Sequence, residues 1–468
     1  MVRFSRFTHI YESEKIVALY HSLRMKPVFL TPVVYKNLQE WLAGSFYNQG
    51  DEPPESIRNE VMELIHFKIL TQTVDEDERV LEYVKSKIPK PAINVCYIIL
   101  SDQCNLACRY CFLGNNDIEK RGRFFSGNMS NTTADKAIDY FIHQIKTSGI
   151  NTRDNKPILI FYGGEPLVNF STLVYIASRI NSLRQSEDSI KNLEMSVITN
   201  GVLLNEKMIK QLQELQVAVA ISIDGFTEES NKMRVDLNGK TVFSRVLQAL
   251  NRCKANGLSV SLSVTLTEET IKDKYGILDL IDTYGITSLG FNILMSDENS
   301  VLPQSYNESA AQFIIDEFVE LRNRGVYEDR MMRKLKAFAK AQVYFSDCAA
   351  TAGGQIVIAP DGSVGICHGC LADKQYFISH VDDIEFVAVN DNHFIEWSQL
   401  TPVNHGECHT CPALGICGGG CPVNAMHLKS ENTIHSIDKR FCAHSMKVLE
   451  FLIWDLYRII MERTKENV

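Results

Sequence analysis

The 468-residue chain lacks the segments that would carry it into or across a membrane. Met1–Lys15 has no apolar core of a signal peptide. The longest late apolar stretch, Phe451–Met461, is interrupted by Asp455 and Arg458 and is too short to cross a bilayer. Basic residues are not in excess: 48 Lys and Arg stand against 57 Asp and Glu, and a net charge of −9 disfavours a broad nucleic-acid surface. Internal repeats and low-complexity segments are missing too. The expectation is a cytoplasmic protein without a nucleic-acid or membrane partner, built of about three domains at roughly 100–200 residues each. A hydrophobic content of 45% and a charged content of 22% are ordinary for a globular chain, so bulk composition excludes fibrous and disordered classes.

Cysteine is plentiful. Thirteen thiols in a cytosolic chain argue for metal binding or catalysis, not for disulfides. Cys96 and Cys253 fall in a predicted strand and a predicted helix and read as core residues. Cys104, Cys108 and Cys111 follow the apolar run Val95–Leu100 at C-x3-C-x2-C spacing. Thiolates are soft ligands that suit iron–sulfur clusters or zinc. Ferredoxin-type runs supply four cysteines to a [4Fe–4S] cubane. Three close thiols therefore hold three irons and leave the fourth open to an outside ligand. A zinc knuckle or a group of reduced thiols is the plainer alternative.

The run Cys104-Asn105-Leu106-Ala107-Cys108-Arg109-Tyr110-Cys111 resembles the signature of the radical SAM superfamily, with Tyr110 as the aromatic residue before the last cysteine. The resemblance implies that the open iron chelates S-adenosylmethionine (SAM) and that reductive cleavage gives a 5′-deoxyadenosyl radical. Downstream, apolar runs alternate with amphipathic stretches. Strands are expected at Ile93–Leu100, Pro157–Tyr162, Glu194–Thr199, Val217–Ile223, Leu258–Leu266 and Ser288–Ile293, with helices between them such as Ala134–Lys146 and Glu206–Leu215. Six βα units imply an α/β fold with a parallel sheet and function at the strands' C-terminal ends. This agrees with a partial (β/α)6 barrel over residues 91–325.

After the second strand, Gly163-Gly164-Glu165 resembles the motif that binds the SAM amino group, and paired glycines let backbone approach a ligand closely. Asn200 follows the third strand. Ser222 and Asp224 resemble a segment near the SAM ribose and carboxylate, and Arg234 is similar to the arginine that pairs with that carboxylate in sulfatase and peptide maturases. Asn292 is a weaker candidate. Tyr327–Lys340, within a bridging region over 326–346, reads as a basic amphipathic helix with a solvated charged face.

A second array reads Cys348, Gly362, Cys367, then Cys408-x2-Cys411-x5-Cys417-x3-Cys421, then Cys442. It resembles the seven-cysteine SPASM pattern, over residues 347–444. Gly418–Gly420 allow the tight backbone that wraps a cluster, and structural zinc is the alternative. The resemblance implies a distal [4Fe–4S] cluster on Cys408, Cys411, Cys417 and Cys442, and a nearer one on Cys348, Cys367 and Cys421, for three clusters in all. Cys370 could supply the nearer cluster's fourth ligand, or that iron stays open. Sulfatase maturases carry Asp after the second SPASM cysteine. This chain has His368, either a structural residue or a proton acceptor tuned near neutrality.

Residues 1–88 read as a winged-helix-like unit. A hairpin of Phe7–Tyr11 and Ile16–Tyr20 precedes a helix capped by Thr31 with Pro32 at its first position. Another helix near Pro54 carries Ile57, Val61, Leu64 and Ile65 on one face. Glu55, Glu60 and Glu63 against Arg58 make phosphate binding unfavourable. Capture of a peptide by strand addition and a purely structural cap both remain open. Ser86–Pro91 is the linker, and a C-terminal helix is expected over Ser445–Arg463, within residues 445–468.

The leading expectation is a SPASM-type radical SAM enzyme that cross-links a ribosomally made precursor peptide held by its leader. A flavodoxin- or ferredoxin-like protein would donate the electron. Sulfatase maturation is the runner-up, ahead of a non-catalytic electron carrier and a winged-helix regulator.

Overall fold

The computed structural model describes residues 2–45, 52–113, 127–152, 154–273, 275–295, 302–427 and 433–466. Strands Thr8–Glu12, Val17–His21 and Val28–Leu30 form an antiparallel sheet at the N-terminus. Helices Pro32–Ser45, Arg58–His66 and Glu76–Lys85 complete this unit. The Thr31 hydroxyl accepts from the Val34 amide at 3.3 Å, as the cap reading requires. Ile57, Val61 and Leu64 are buried and Ile65 is half-buried, so the expected face does pack inward. The third strand escapes notice in the sequence because it is only three residues long. On its far side the unit buries Phe7, Val80, Leu81 and Val84 against Val403 and Leu414 of the second cysteine array.

Six parallel strands follow: Val95–Ser101, Ile158–Gly163, Glu194–Thr199, Val217–Ser222, Val260–Leu266 and Ser288–Ile293. They pair consecutively and in parallel, with helices in the connections. Three of these helices have side-chain caps: Ser130 accepts from Thr133 N and Asn205 from Met208 N, each at 3.0 Å, and Thr267 from Thr270 N at 3.1 Å. Side chains alternate across a strand. In Val260–Leu266, the residues Leu262, Val264 and Leu266 are buried, while Ser261, Ser263 and Thr265 are half-buried on the opposite face. The outer face is therefore an apolar core and the inner face a polar wall.

The sheet does not stop at the sixth strand. Tyr327–Glu328 adds in parallel beside it. At the other edge, Gln355–Ile358 pairs in parallel with the first barrel strand, Ile356 opposite Cys96. Ser363–Gly365 and Phe377–His380 continue antiparallel. The second cysteine array is thus grafted onto the barrel through ten continuous strands.

Two expectations need correction. The Asp329–Lys340 helix presents only part of its basic face to water: Lys336 and Lys340 are exposed, but Lys334 is fully buried and Arg330 and Arg333 are largely covered. The C-terminal helix begins at Lys439, so Cys442 lies in its first turns, and it packs on helix Gln304–Asn323 through Phe318 against Phe451 and Arg322 to Asp455 at 2.7 Å. Cys96 and Cys253 are core residues, as expected. Among the described residues, no helix is long and apolar enough to cross a membrane.

Candidate functional site

The first cysteine loop leaves the first barrel strand at Ser101 and runs against the Gly163-Gly164 turn of the second. A Cβ on Gly163, whose φ is +143°, would meet Ser101 O at 2.1 Å, and one on Gly164 would meet Gln103 O at 2.4 Å. Gly164 N donates to Ser101 O and Glu165 N to Gln103 O, both at 2.9 Å. The glycines serve close approach, as expected, but what they approach is the backbone of the cysteine loop.

Glu165 is buried at the strand's end. Its carboxylate accepts from Thr199 Oγ1 at 2.6 Å, Asn200 N at 2.8 Å and Leu167 N at 3.0 Å. Burial nevertheless pushes its pKa up to about 6. The Asn200 side chain donates to Asn105 Oδ1 at 2.9 Å, tying the third strand's end to the cysteine loop.

Asp224 behaves differently from expectation. It is fully buried and does not line the cavity. Its carboxylate accepts from Tyr110 OH at 2.5 Å, Arg234 Nη2 at 3.0 Å and Thr265 N at 3.3 Å. Burial raises the Asp224 pKa, with Arg234 opposing. Burial works against the Arg234 guanidinium, yet Asp224 and Tyr110 hold it above its ordinary range. Arg234 Nε is buried without a partner. Asp224 is therefore the anchor that aims Arg234 and Tyr110, both of which face the cavity.

That cavity, of ≈ 560 Å³, opens at the C-terminal ends of the barrel strands. Its walls include Cys104, Cys108, Cys111, Tyr110, Gly163, Gly164, Glu165, Asn200, Ser222, Arg234 and Asn292. The same cavity is lined by Cys348, Cys367, His368 and Cys421 from the second array. A second cavity of ≈ 110 Å³ is lined by Cys408, Cys411, Cys417 and Cys442. Gly418, Gly419 and Gly420, all at φ between +77° and +90°, form the strip between them: Gly419 lines the small cavity and Gly420 the large one. Cys370 lines neither. It is buried in the apolar core, with its thiol hydrogen-bonded to that of Cys367.

His368 stacks on Tyr97 at 4.6 Å and meets Tyr162 and Phe112 edge-on at 5.1 and 5.6 Å. Its Nδ1 has no partner. Burial pushes its pKa down to about 4, so the ring is neutral, but it is not tuned near neutrality. Tyr97 and Tyr162 carry no motif, and only their place on inward strand positions signals them.

The cysteine chemistry can be tested against these positions. Burial pushes Cys104, Cys408, Cys421 and Cys442 up to about 12 and Cys108 to about 11. Such thiols are poor nucleophiles, whereas a metal centre would hold them as thiolates. Tetrahedral zinc gathers four sulfurs within roughly 3.8 Å of one another, from a 2.3 Å bond. Among the described residues, no three His, Cys, Asp or Glu side chains are gathered to hold a single metal ion.

The comparisons agree with this chemistry. Residues 98–281 match the radical SAM superfamily. The radical SAM cyclopropyl synthase TigE of Paramaledivibacter caminithermalis is 24% identical over 96% of this chain and 92% of its own. Among solved structures, anSMEcpe with bound AdoMet covers 79% of this chain and 95% of its own, at 20% identity and a TM-score of 0.63. Streptococcus suis SuiB, bound to precursor peptide SuiA, covers 94% and 100%, at 14% identity and a TM-score of 0.54. At those identities the likeness of the structures is one of fold. Residues 98–281 carry a radical SAM domain.

Proposed function

We propose that the chain is a SPASM-type peptide maturase that installs a cross-link, a thioether or another side-chain or backbone bond, in a ribosomally made precursor peptide. The observation that carries this reading is the single cavity faced by Cys104, Cys108 and Cys111 from one side and by Cys348, Cys367 and Cys421 from the other. An electron carrier has no need of a chamber between its centres. An enzyme that makes a substrate radical and then oxidises it does.

In this reading the first triplet holds the SAM-cleaving [4Fe–4S] cluster. Cys348, Cys367 and Cys421 hold a nearer auxiliary cluster, with Cys370 behind Cys367 as the candidate fourth ligand. Cys408, Cys411, Cys417 and Cys442 hold a distal one. When bound, the first cluster supplies the electron, from a flavodoxin- or ferredoxin-like donor, that splits SAM into methionine and a 5′-deoxyadenosyl radical. In the same reading Glu165 takes the SAM ammonium and Arg234, which has an unpartnered Nε, the carboxylate; both line the cavity. Asn200 and Ser222 lie on the same wall. The substrate gives one hydrogen atom to the adenosyl radical. Closing the new bond then releases one proton and one electron. His368, which lines the cavity and has an unpartnered Nδ1, would take the proton, and the auxiliary-site cysteines would hold the centre that takes up the electron.

Residues 1–88 would hold the leader by strand addition at the Thr8–Glu12 edge. Ile10 stands exposed on that strand. SuiB, whose solved structure contains its precursor peptide, matches over most of the chain, including this region. The test is turnover of an intact precursor and of the same peptide without its leader, by mass spectrometry. The reading expects a loss of two hydrogens from the intact peptide and at least a tenfold slower reaction without the leader. Equal rates, or conversion of a single Ser or Cys to formylglycine, would move the assignment to sulfatase maturation.

A further inference from the structure

We infer that the Asp329–Lys340 helix sets the redox poise of the two auxiliary sites, with the buried Lys334 as the charge shared between them. This rests on the reading that both sites hold clusters. Lys334 Nζ donates to Cys417 O at 2.7 Å and to Ile416 O at 3.2 Å, so its charge lies against a ligand loop of the small cavity. The same atom is 3.7 Å from Asp347, the residue before Cys348 of the large cavity. Arg330 reaches Asp347 at 3.3 Å. Arg333 donates to the Asp347 carbonyl and pairs with Asp329 at 2.9 Å. Asp347 N in turn donates to Gly418 O at 2.9 Å, in the glycine strip between the cavities.

Lys334 meets its counter-charge only at a distance: Asp347, 3.7 Å away, also pairs with Arg330, which in turn lies beside the buried carboxylate of Glu328, while Arg333 pairs with Asp329. Beside this network, His444 is fully buried with neither ring nitrogen partnered, and it supplies no counter-charge. An uncompensated buried cation is costly unless an anionic centre lies near. Thiolate-bound [4Fe–4S] clusters are such centres, and reduction makes them more negative. A fixed cation at short range in low dielectric stabilises the reduced form and raises the potential. A helix that only sealed the loop would need hydrogen bonds to Ile416 and Cys417, not a buried ammonium to make them.

The experiment is a redox titration, followed by electron paramagnetic resonance, of the anaerobically reconstituted full chain and its variants, with iron and sulfide counted in each. Lys334→Met is expected to shift both auxiliary potentials downward and leave the SAM-binding cluster unmoved. Asp347→Asn, which removes a negative charge from the same network, is expected to shift them upward. Lys334→Arg keeps the charge and should keep the potentials. If Lys334→Met fails to load iron, the Asp347→Asn and Lys334→Arg arms decide. Unmoved potentials at full iron content, or shifts of the same sign in the Met and Asn variants, overturn the inference. A wild-type chain that binds iron only at Cys104, Cys108 and Cys111 overturns the proposed function instead.

Discussion

The cavity at the barrel mouth and the cavity beneath the N-terminal unit both draw most of their thiols from loops, yet they enclose very different space. The first measures ≈ 560 Å³ and gathers six cysteines among carboxylate, guanidinium, amide and hydroxyl groups. The second measures ≈ 110 Å³ and is lined by four cysteines with Ala413, Leu414 and Ile434 among its apolar walls. Four thiols around a small volume match the four irons of one cubane, so nothing remains to bind from outside. Six thiols around a larger volume, three at each end, leave an incomplete shell at both. On the proposed function, the contrast separates a place for electrons from a place for molecules.

The largest expected effect comes from exploiting that contrast. Changing Cys104, Cys108 and Cys111 together to alanine should abolish 5′-deoxyadenosine formation. Cys408→Ala should leave SAM cleavage within about threefold of wild type while product falls by at least tenfold. Chromatography of the nucleoside and mass spectrometry of the peptide read both. Deoxyadenosine made at the wild-type rate by the triple variant would sink the assignment of the large cavity. Product made normally by Cys408→Ala would remove the small cavity from the reaction.

Much of this site is legible in the sequence because a cluster binds through local spacing. Cys104, Cys108 and Cys111 fall within eight residues, and Gly163-Gly164-Glu165 ends a strand whose apolar run is visible. The six barrel strands are legible for a similar reason, since burial of one face and a polar inner wall leave alternation in segments such as Val260–Leu266. What is not legible is long-range. The pairing of Gln355–Ile358 with Val95–Ser101 joins residues some 260 positions apart, and neither strand carries a mark of its partner. The amphipathic Asp329–Lys340 looks the same whether its cations meet water or Asp347, so only the fold shows it buried. Asp224 illustrates the same limit at close range. Its motif predicts a ligand contact, whereas its carboxylate is fully engaged by Tyr110, Arg234 and Thr265.

That difference sets a second, smaller effect. Asp224→Asn keeps the shape but leaves Arg234 buried without its counter-charge, which costs about 3–5 kcal/mol when a buried pair is broken. Thermal unfolding should report a lower midpoint. SAM affinity, measured by equilibrium dialysis, should fall with it because Arg234 and Tyr110 lose their common anchor. Ser222→Ala, which removes a wall hydroxyl with no charge at stake, should change stability far less. Equal stability of the Asp224 and Ser222 variants would mean that the Asp224–Arg234 pair does not hold this wall.

The smallest effect concerns the charge of Glu165, and here the large cavity's function opposes its stability. Burial raises the carboxyl from 4.5 to about 6, so the folded chain without ligand binds this proton more tightly than the unfolded chain does. Stability from this group is therefore full below about pH 4.5 and is lost as pH rises through 6, by about 2 kcal/mol at roughly 1.4 kcal/mol per unit. SAM binding has the opposite sign. Its ammonium needs the ionised carboxylate, so affinity should hold from pH 8 to about 6.5 and fall toward a tenfold loss per unit below about 5. Glu165→Gln removes the titrating group. The variant should bind SAM weakly and lose the dependence of binding on pH between 5 and 7. A wild-type affinity that stays flat to pH 5 would place the ammonium elsewhere on the wall. In the small cavity the lining carboxylate, Asp438, is paired with Arg440 at 2.6 Å, and iron binding there should not follow this profile.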